Sequence, residues 1–141
     1  MDQAEILNEL YKNAKMGEQL IKRVLDQVED GDIKDDLLTQ MAGYTDLYAR
    51  AQSQLADLGV KPDENNLMTR VMSDVGVRMN LLADHTPQHV AEMMIQGSNM
   101  GIIDADKSLN QCDNMPGKVK TLVEDVKKFE QTSIQKLKSY L

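Results

Sequence analysis

Residues with special structural or chemical roles are scarce in this chain. Among 141 residues, Trp is absent, Phe and Cys occur once each, and Pro occurs three times. The single cysteine, Cys112, excludes an intrachain disulfide and favours a reducing cytoplasm. Without Trp, and with one Phe, the chain lacks the aromatic platforms on which nucleic-acid bases stack. Stability must therefore come from an aliphatic core, which a chain of this length is long enough to bury.

Long apolar runs and a basic balance of charge are also absent. No segment approaches the roughly 18 apolar residues that span a bilayer. The first residues, MDQAEILNEL, are acidic and amphipathic, unlike a signal peptide. The net charge of −7 opposes binding to nucleic acid or to an anionic membrane. These features predict a soluble, cytoplasmic protein that has neither nucleic acid nor membrane as a partner.

Helical periodicity is what the chain has in abundance. Apolar residues recur in steps of three and four, which predicts an all-α fold of a single domain, residues 1–141. The first two predicted helices, separated by Gly31 and an N-capping Asp32, form an antiparallel hairpin, and the last two form another. The short third helix connects the hairpins. The predicted helices lie at about 3–30, 33–58, 67–83, 87–112 and 118–140.

Three segments carry a resemblance to a known superfamily: KNAKMGEQLI at 12–21, HVAEMMIQGSNMGI at 89–102 and VKKFEQTSIQKLKSYL at 126–141. Through them the chain resembles short bacterial proteins of the ferritin-like superfamily, of the kind found in Clostridium-type bacteria. The resemblance covers nearly the whole chain. It implies a ferritin-like four-helix bundle of two antiparallel hairpins plus one short connecting helix, and it implies no activity.

The metal ligands of ferritin-like di-iron proteins are missing here. Such bundles use a Glu from each of two helices and Glu-x-x-His from each of the other two. No Glu in this sequence has a His three residues later, and the second predicted helix contains neither residue type. Ser98 lies where the resemblance would place a carboxylate, and only Glu18 remains as a plausible ligand. We therefore expect no metal, no cofactor and no oxygen or peroxide chemistry.

Other arrangements of reactive residues are equally weak. His85, His89 and Glu92 have spacings that a zinc site might use, but Pro87 places His85 before the helix and so breaks the required geometry. Cys112 has no neighbouring base or cation in the sequence to lower the pKa of its thiol, which predicts an inert thiol. We therefore predict no catalytic residue.

Polar residues on the inward stripes of the predicted helices are expected to meet inside the bundle. Buried polar groups must be hydrogen-bonded, so these residues form either a structural network or the lining of a small-ligand pocket. The candidates are Glu18, Tyr44, Tyr48, Ser98 and Glu130.

The fourth predicted helix has two apolar stripes, of which the one from Ala91 to Cys112 faces its own bundle. Glycine inside a helix costs roughly 0.8 to 1 kcal/mol relative to alanine, so close packing should compensate at Gly97 and Gly101. The second stripe is expected to contact either the third predicted helix or a second subunit. The interface candidates are Met68, Met72, Met79, Val90, Met94, Gly97 and Gly101.

Two functions follow as hypotheses from these patterns. The first is a noncatalytic structural or protein-interaction role for a homodimer that uses the second stripe. The alternative is a bundle that binds a metal or small ligand through the interior polar residues, as a degenerate form of a ferritin-like site.

Overall fold

A computed structural model of the chain describes residues 1–64 and 85–141. These residues contain helices and no strand, which confirms the all-α prediction for this part of the chain. The helix predicted at 67–83, with Met68, Met72 and Met79, lies outside the described residues. The helices are α1 (Gln3–Leu25), α2 (Asp32–Asp57), α3 (Pro87–Gln111) and α4 (Gly117–Leu137), and a 3₁₀ turn, Lys138–Tyr140, follows α4. Of these helices, none combines the length and the apolar character that crossing a membrane requires.

Side-chain caps fix the starts of α1 and α3. Asp2 accepts a hydrogen bond from the backbone N–H of Glu5 at 2.9 Å, and the Glu5 carboxylate accepts one from the backbone N–H of Asp2 at 3.3 Å. This reciprocal capping box satisfies two backbone donors that the helix leaves free. Thr86 caps α3 and Pro87 occupies its first turn, as the sequence predicts.

The junction between α1 and α2 differs from the prediction. α1 ends at Leu25, short of the expected end near residue 30. Acidic side chains at Asp26, Glu29 and Asp30 follow that end, where negative charge opposes the helix dipole. Gly31 is the N-cap of α2 and makes no side-chain capping bond, so the expectation that Asp32 would cap α2 is wrong. Asp32 is the first helical residue, where its charge favours the dipole.

The helices form two antiparallel hairpins. In the first, Thr45 of α2 donates a hydrogen bond to Glu18 of α1, which places late residues of α1 beside the middle of α2. In the second, Lys127 of α4 pairs with Asp106 of α3 at 2.7 Å. Close packing runs along both pairs. The predicted hairpins are therefore present in the structure.

The hairpins join chiefly through α2 and α4. Arg50 contacts Asp125 at 2.7 Å, and the Tyr140 hydroxyl beyond α4 donates to Asp36 near the start of α2 at 2.6 Å. The start of α2 thus lies beside the C-terminal end of α4, and the later part of α2 lies beside the first part of α4. These two helices are therefore antiparallel. Since α3 is antiparallel to α4, α2 and α3 run in the same direction. The end of α2 and the start of α3 consequently lie at opposite ends of the bundle.

The buried face of α2 is rotated from the predicted one. The steps of three and four predict an inward stripe of Leu37, Met41, Tyr44, Tyr48, Ala51, Leu55 and Leu58. In the structure Met41 and Tyr48 are half-buried and Leu58 is exposed. Gln40 and Leu47 are buried instead. The reason is that α2 packs against both α1 and α4, so its buried face points between those two neighbours.

Candidate functional site

A cavity lies between α1 and α3. These two helices touch each other at few places, in contrast to the close packing within each hairpin. A hydrogen bond of 3.3 Å from Asn13 of α1 to Asp104 of α3 crosses the gap. The cavity has a volume of about 420 Å³ and is lined by residues from all four helices. Its size falls within the range of small-molecule sites.

Small residues on α3 leave this space. On the side of α3 that faces the rest of the bundle, several residues are glycine, serine or alanine. Their small side chains do not fill the space between α1 and α3. The α3 residues of this kind that line the cavity are Gly97, Ser98, Gly101, Ala105 and Ser108. The remaining wall is mostly apolar, with Met16 and Leu20 on α1 and Met93 and Met94 on α3. Flexible thioether side chains adapt readily to the shape of a ligand.

Tyr44 and Glu130 line the same cavity and are joined by a short hydrogen bond. The Tyr44 hydroxyl donates to Oε1 of Glu130 at 2.5 Å, and Glu130 is only 3% exposed. Two helix glycines make room for this pair. A Cβ at Gly17 would lie 2.7 Å from the Tyr44 ring, and a Cβ at Gly101 would overlap Oε2 of Glu130. Close side-chain packing therefore accounts for these two glycines, as the sequence predicts.

Burial controls the ionisation of the pair. It raises the pKa of Glu130 to about 7, even though the hydrogen bond from Tyr44 favours the carboxylate. Burial, followed by the charge of Glu130, raises the pKa of Tyr44 well above its usual value. Tyr44 is therefore a neutral hydrogen-bond donor, while Glu130 changes its charge near neutral pH.

Ser98 adds a buried hydroxyl that lacks a partner. Its side chain is 1% exposed, and Oγ makes no hydrogen bond of normal geometry with the described part of the chain. Ser98 lies close enough to Tyr44 to act against the rise in the pKa of that phenol, but burial and Glu130 have the larger effects and the net pKa is raised. An unsatisfied buried hydroxyl costs roughly 1–3 kcal/mol. Because Ser98 lines the cavity, a bound molecule can supply the missing hydrogen bond.

The structure divides the predicted polar cluster. Tyr44, Ser98 and Glu130 lie together on the cavity wall, whereas Glu18 and Tyr48 do not line it. The prediction of one cluster of five residues is therefore wrong. The rotation of α2 explains the division, because it turns Tyr44 toward the centre of the bundle and leaves Tyr48 beside α1.

Glu18 belongs to a separate group at the face between α1 and α2. Its carboxylate accepts a hydrogen bond from Thr45 at 2.5 Å and contacts Lys22 at 3.3 Å. Burial raises the pKa of Glu18, but the hydrogen bonds from Thr45, Tyr48 and Lys22 outweigh it, so the net pKa is lowered. Glu18 is therefore ionised and paired, which leaves Glu130 as the buried carboxylate of the cavity.

The interface candidates on α3 are not arranged as one outward stripe. Val90 is 0% exposed and Met94 2% exposed, so neither offers a surface to a second subunit. Gly101 lies against Glu130, while Gly97 borders the cavity, and a Cβ added there has no described neighbour outside α3 within 4 Å. The buried face of α3 combines members of both predicted stripes, Val90, Ala91, Met94, Ser98 and Ala105, with Ser108, which was predicted on neither stripe.

Three lining residues with acidic or amide side chains were not predicted from the sequence. Glu9 and Asn13 of α1 and Asp104 of α3 stand at polar positions beside the apolar stripes. Their pattern is typical of a solvated helix face. They become lining residues only because α1 and α3 are held apart, which the sequence of either helix does not indicate.

The histidines and the cysteine show no comparable arrangement. His85 precedes α3, as predicted, and Nδ1 of His89 lies 3.0 Å from Oγ1 of Thr86, the N-cap. Cys112 is half-buried at the end of α3. Within residues 1–64 and 85–141, no three His, Cys, Asp or Glu side chains are gathered in a way that would hold a metal ion.

A comparison of the chain with known protein families, curated proteins and solved structures finds no match. The site must therefore be interpreted from its own geometry and chemistry.

Proposed function

We propose that this protein is a noncatalytic helical bundle that binds a small, mainly apolar molecule in the cavity between α1 and α3. The observation that carries the proposal is the cavity of about 420 Å³ with the unpartnered hydroxyl of Ser98 in its wall. An apolar space with a few convergent polar groups is the usual form of a small-molecule site.

The cavity wall has an apolar part and a polar part, and this arrangement supports binding of a ligand in one orientation. Methionine and leucine side chains provide contact area, while Ser98, Tyr44 and Glu130 form one polar region. A ligand with a single polar group would place it there and bury its apolar part against the methionines. Binding would satisfy the Ser98 hydroxyl and remove apolar surface from water, and both effects favour the complex.

A fluorescent apolar probe tests this proposal. We expect N-phenyl-1-naphthylamine, which is uncharged at neutral pH, to bind at one site with increased emission. Gly97→Phe places a ring at the cavity, at a position where an added Cβ has no described neighbour within 4 Å outside its own helix. This variant should bind the probe at least tenfold more weakly.

Gly117→Phe is the matched control. It makes the same change at the start of α4, where an added Cβ also meets nothing within 4 Å and which does not line the cavity. This control should bind the probe like the original chain. Absence of binding to the original chain, or equal binding by both variants, would refute the proposed function.

We also propose that the fold is ferritin-like, as the sequence resemblance implies. The parallel course of α2 and α3 supports this, since a bundle of two hairpins with a long crossover has that arrangement. A cytoplasmic location stays a prediction that rests on the single cysteine.

A homodimer is the second proposal about function. It is supported by the exposed apolar side chains of Met100 and Ile103 on α3, which are 61% and 52% exposed. The two residues lie three positions apart, on one side of the helix. The surface expected for the dimer is therefore the Met100–Ile103 surface, and no longer Val90 and Met94.

A further inference from the structure

The charges around the cavity have one sign. Glu9 on α1, Asp104 on α3 and Glu130 on α4 are lining residues, and the described lining contains no Lys, Arg or His. The whole chain also carries a net charge of −7. An anionic ligand would meet unfavourable potential both outside the protein and within the cavity. The cavity therefore favours a cation over an anion of the same size.

Glu130 forms the innermost of these charges and is incompletely paired. One carboxylate oxygen accepts the hydrogen bond from Tyr44, and the other lies against the backbone at Gly101. Glu130 forms no ion pair with any residue in the described ranges. A buried carboxylate without a cation is unfavourable, and a ligand that carries positive charge would compensate it.

The neighbouring groups suit a protonated amine. An ammonium group has three N–H donors and no acceptor. Ser98 has an unused hydroxyl oxygen beside Tyr44, so it offers an acceptor in addition to the carboxylate of Glu130. Met93 and Met94 line the same cavity about one helical turn before Ser98, and their side chains suit an alkyl chain.

We propose that the ligand is an aliphatic amine, which the cavity binds with its ammonium group at Glu130 and Ser98 and its alkyl chain against Met93 and Met94. This inference rests on the proposed function, because it names the class of molecule that the cavity takes.

Three ligands that share one eight-carbon chain separate the head groups. They are 1-aminooctane, 1-octanol and octanoate, each measured by displacement of N-phenyl-1-naphthylamine near pH 8. We expect the amine to bind at least tenfold more tightly than the alcohol, and octanoate to bind most weakly. Equal affinity of amine and alcohol would overturn the inference.

Glu130→Gln tests whether the Glu130 carboxylate is responsible for the tighter binding of the amine than of the alcohol. This variant keeps the size and the acceptor for Tyr44 but removes the negative charge. It should weaken binding of 1-aminooctane at least tenfold and change binding of 1-octanol less than twofold. The control is Glu124→Gln, which removes an exposed charge from the same helix outside the cavity and should leave both affinities unchanged.

The pH dependence provides an independent readout. Below the pKa of Glu130, about 7, the amine must displace a proton from that carboxyl, so its affinity should fall about tenfold per pH unit. The octanol affinity should not change. The other titratable groups that face the cavity are Tyr44, Glu9 and Asp104. The slope should disappear in Glu130→Gln, and an unchanged slope would contradict the assignment to Glu130.

The outcomes distinguish this inference from the proposed function. If the fluorescent probe binds in the cavity but 1-aminooctane does not displace it, the cavity is a ligand site and the amine assignment is wrong. If the fluorescent probe itself does not bind, the proposed function is wrong.

Discussion

At the scale of single residues, Glu130 shows how tertiary packing changes the chemistry of a common side chain. On an isolated helix its carboxylate would be solvated and ionised. In the bundle it is 3% exposed, with Tyr44 as hydrogen-bond donor. Its pKa rises to about 7 because burial disfavours the charged form. This residue therefore links pH to stability.

Glu130→Gln should make the protein more stable at high pH. The folded state holds the Glu130 proton up to a pKa of about 7, whereas the unfolded chain releases it near the ordinary value of 4.5. The folded form of the original chain thus loses stability as the pH rises between these values. The full loss is about 3 kcal/mol for a shift of this size.

Urea denaturation near pH 5 and pH 8 measures this effect. The free energy of unfolding of Glu130→Gln minus that of the original chain should be about 2–3 kcal/mol larger at pH 8 than at pH 5. Glu124→Gln, an exposed change on the same helix, should gain little. The same free-energy difference at both pH values would show that Glu130 is ionised alike in the folded and unfolded states.

At the scale of elements, α3 contains two glycines, Gly97 and Gly101, whose surroundings differ. Gly101 packs against the Glu130 carboxylate, whereas Gly97 borders open space in the cavity. At Gly101 the Glu130 carboxylate occupies the space that a side chain would need. At Gly97 no such group is present in the described residues. The sequence spacing G-x-x-x-G does not distinguish these situations.

Alanine substitutions at these two positions should therefore have different effects. Gly97→Ala should stabilise the protein by roughly 0.5 to 1 kcal/mol, because alanine favours the helix and its Cβ clashes with no atom of residues 1–64 and 85–141. Gly101→Ala should be less stable than Gly97→Ala by about 1–2 kcal/mol, since its Cβ displaces a confined carboxylate. Thermal or urea unfolding measures both. Equal stabilisation would mean that Glu130 moves aside without cost.

At the scale of the whole molecule, the bundle is closed on one side and open on the other. α2 and α4 pack together and carry the Arg50–Asp125 ion pair, while α1 and α3 are separated by the cavity. The Met100–Ile103 surface lies on α3, next to this open side. A second subunit on that surface would bury apolar side chains that are now exposed.

Light scattering at high protein concentration should give twice the chain mass of 15.9 kDa. Ile103→Lys should shift the protein to a monomer, because a charge at the contact must be desolvated. The control is Leu38→Lys on α2, where an apolar side chain of similar exposure, 43%, lies away from α3. A monomeric original chain would remove the dimer proposal.

Helix periodicity was sufficient to predict the hairpins and most buried positions of α1 and α4. Leu7, Leu10 and Ile21 in α1, and Val119 and Leu137 in α4, fall on the apolar stripes that recur in steps of three and four, and all five are buried. The burial of Glu130 and Ser98 was predicted in the same way, since both interrupt an apolar stripe. For α2 and α3 the prediction was less accurate, because each of them faces more than one neighbour and the buried face is then wider than one stripe.

The sequence alone determined the helical class, the paired hairpins and the burial of Glu18, Ser98 and Glu130, because helix formation and one-sided burial depend on local spacing. Only the tertiary structure decided that Tyr44, Ser98 and Glu130 share a wall while Glu18 and Tyr48 lie elsewhere. It also decided that Glu9 and Asp104 line a cavity. The physical reason is that the distance between α1 and α3 depends on the packing of all the helices together, which no single helix pattern contains.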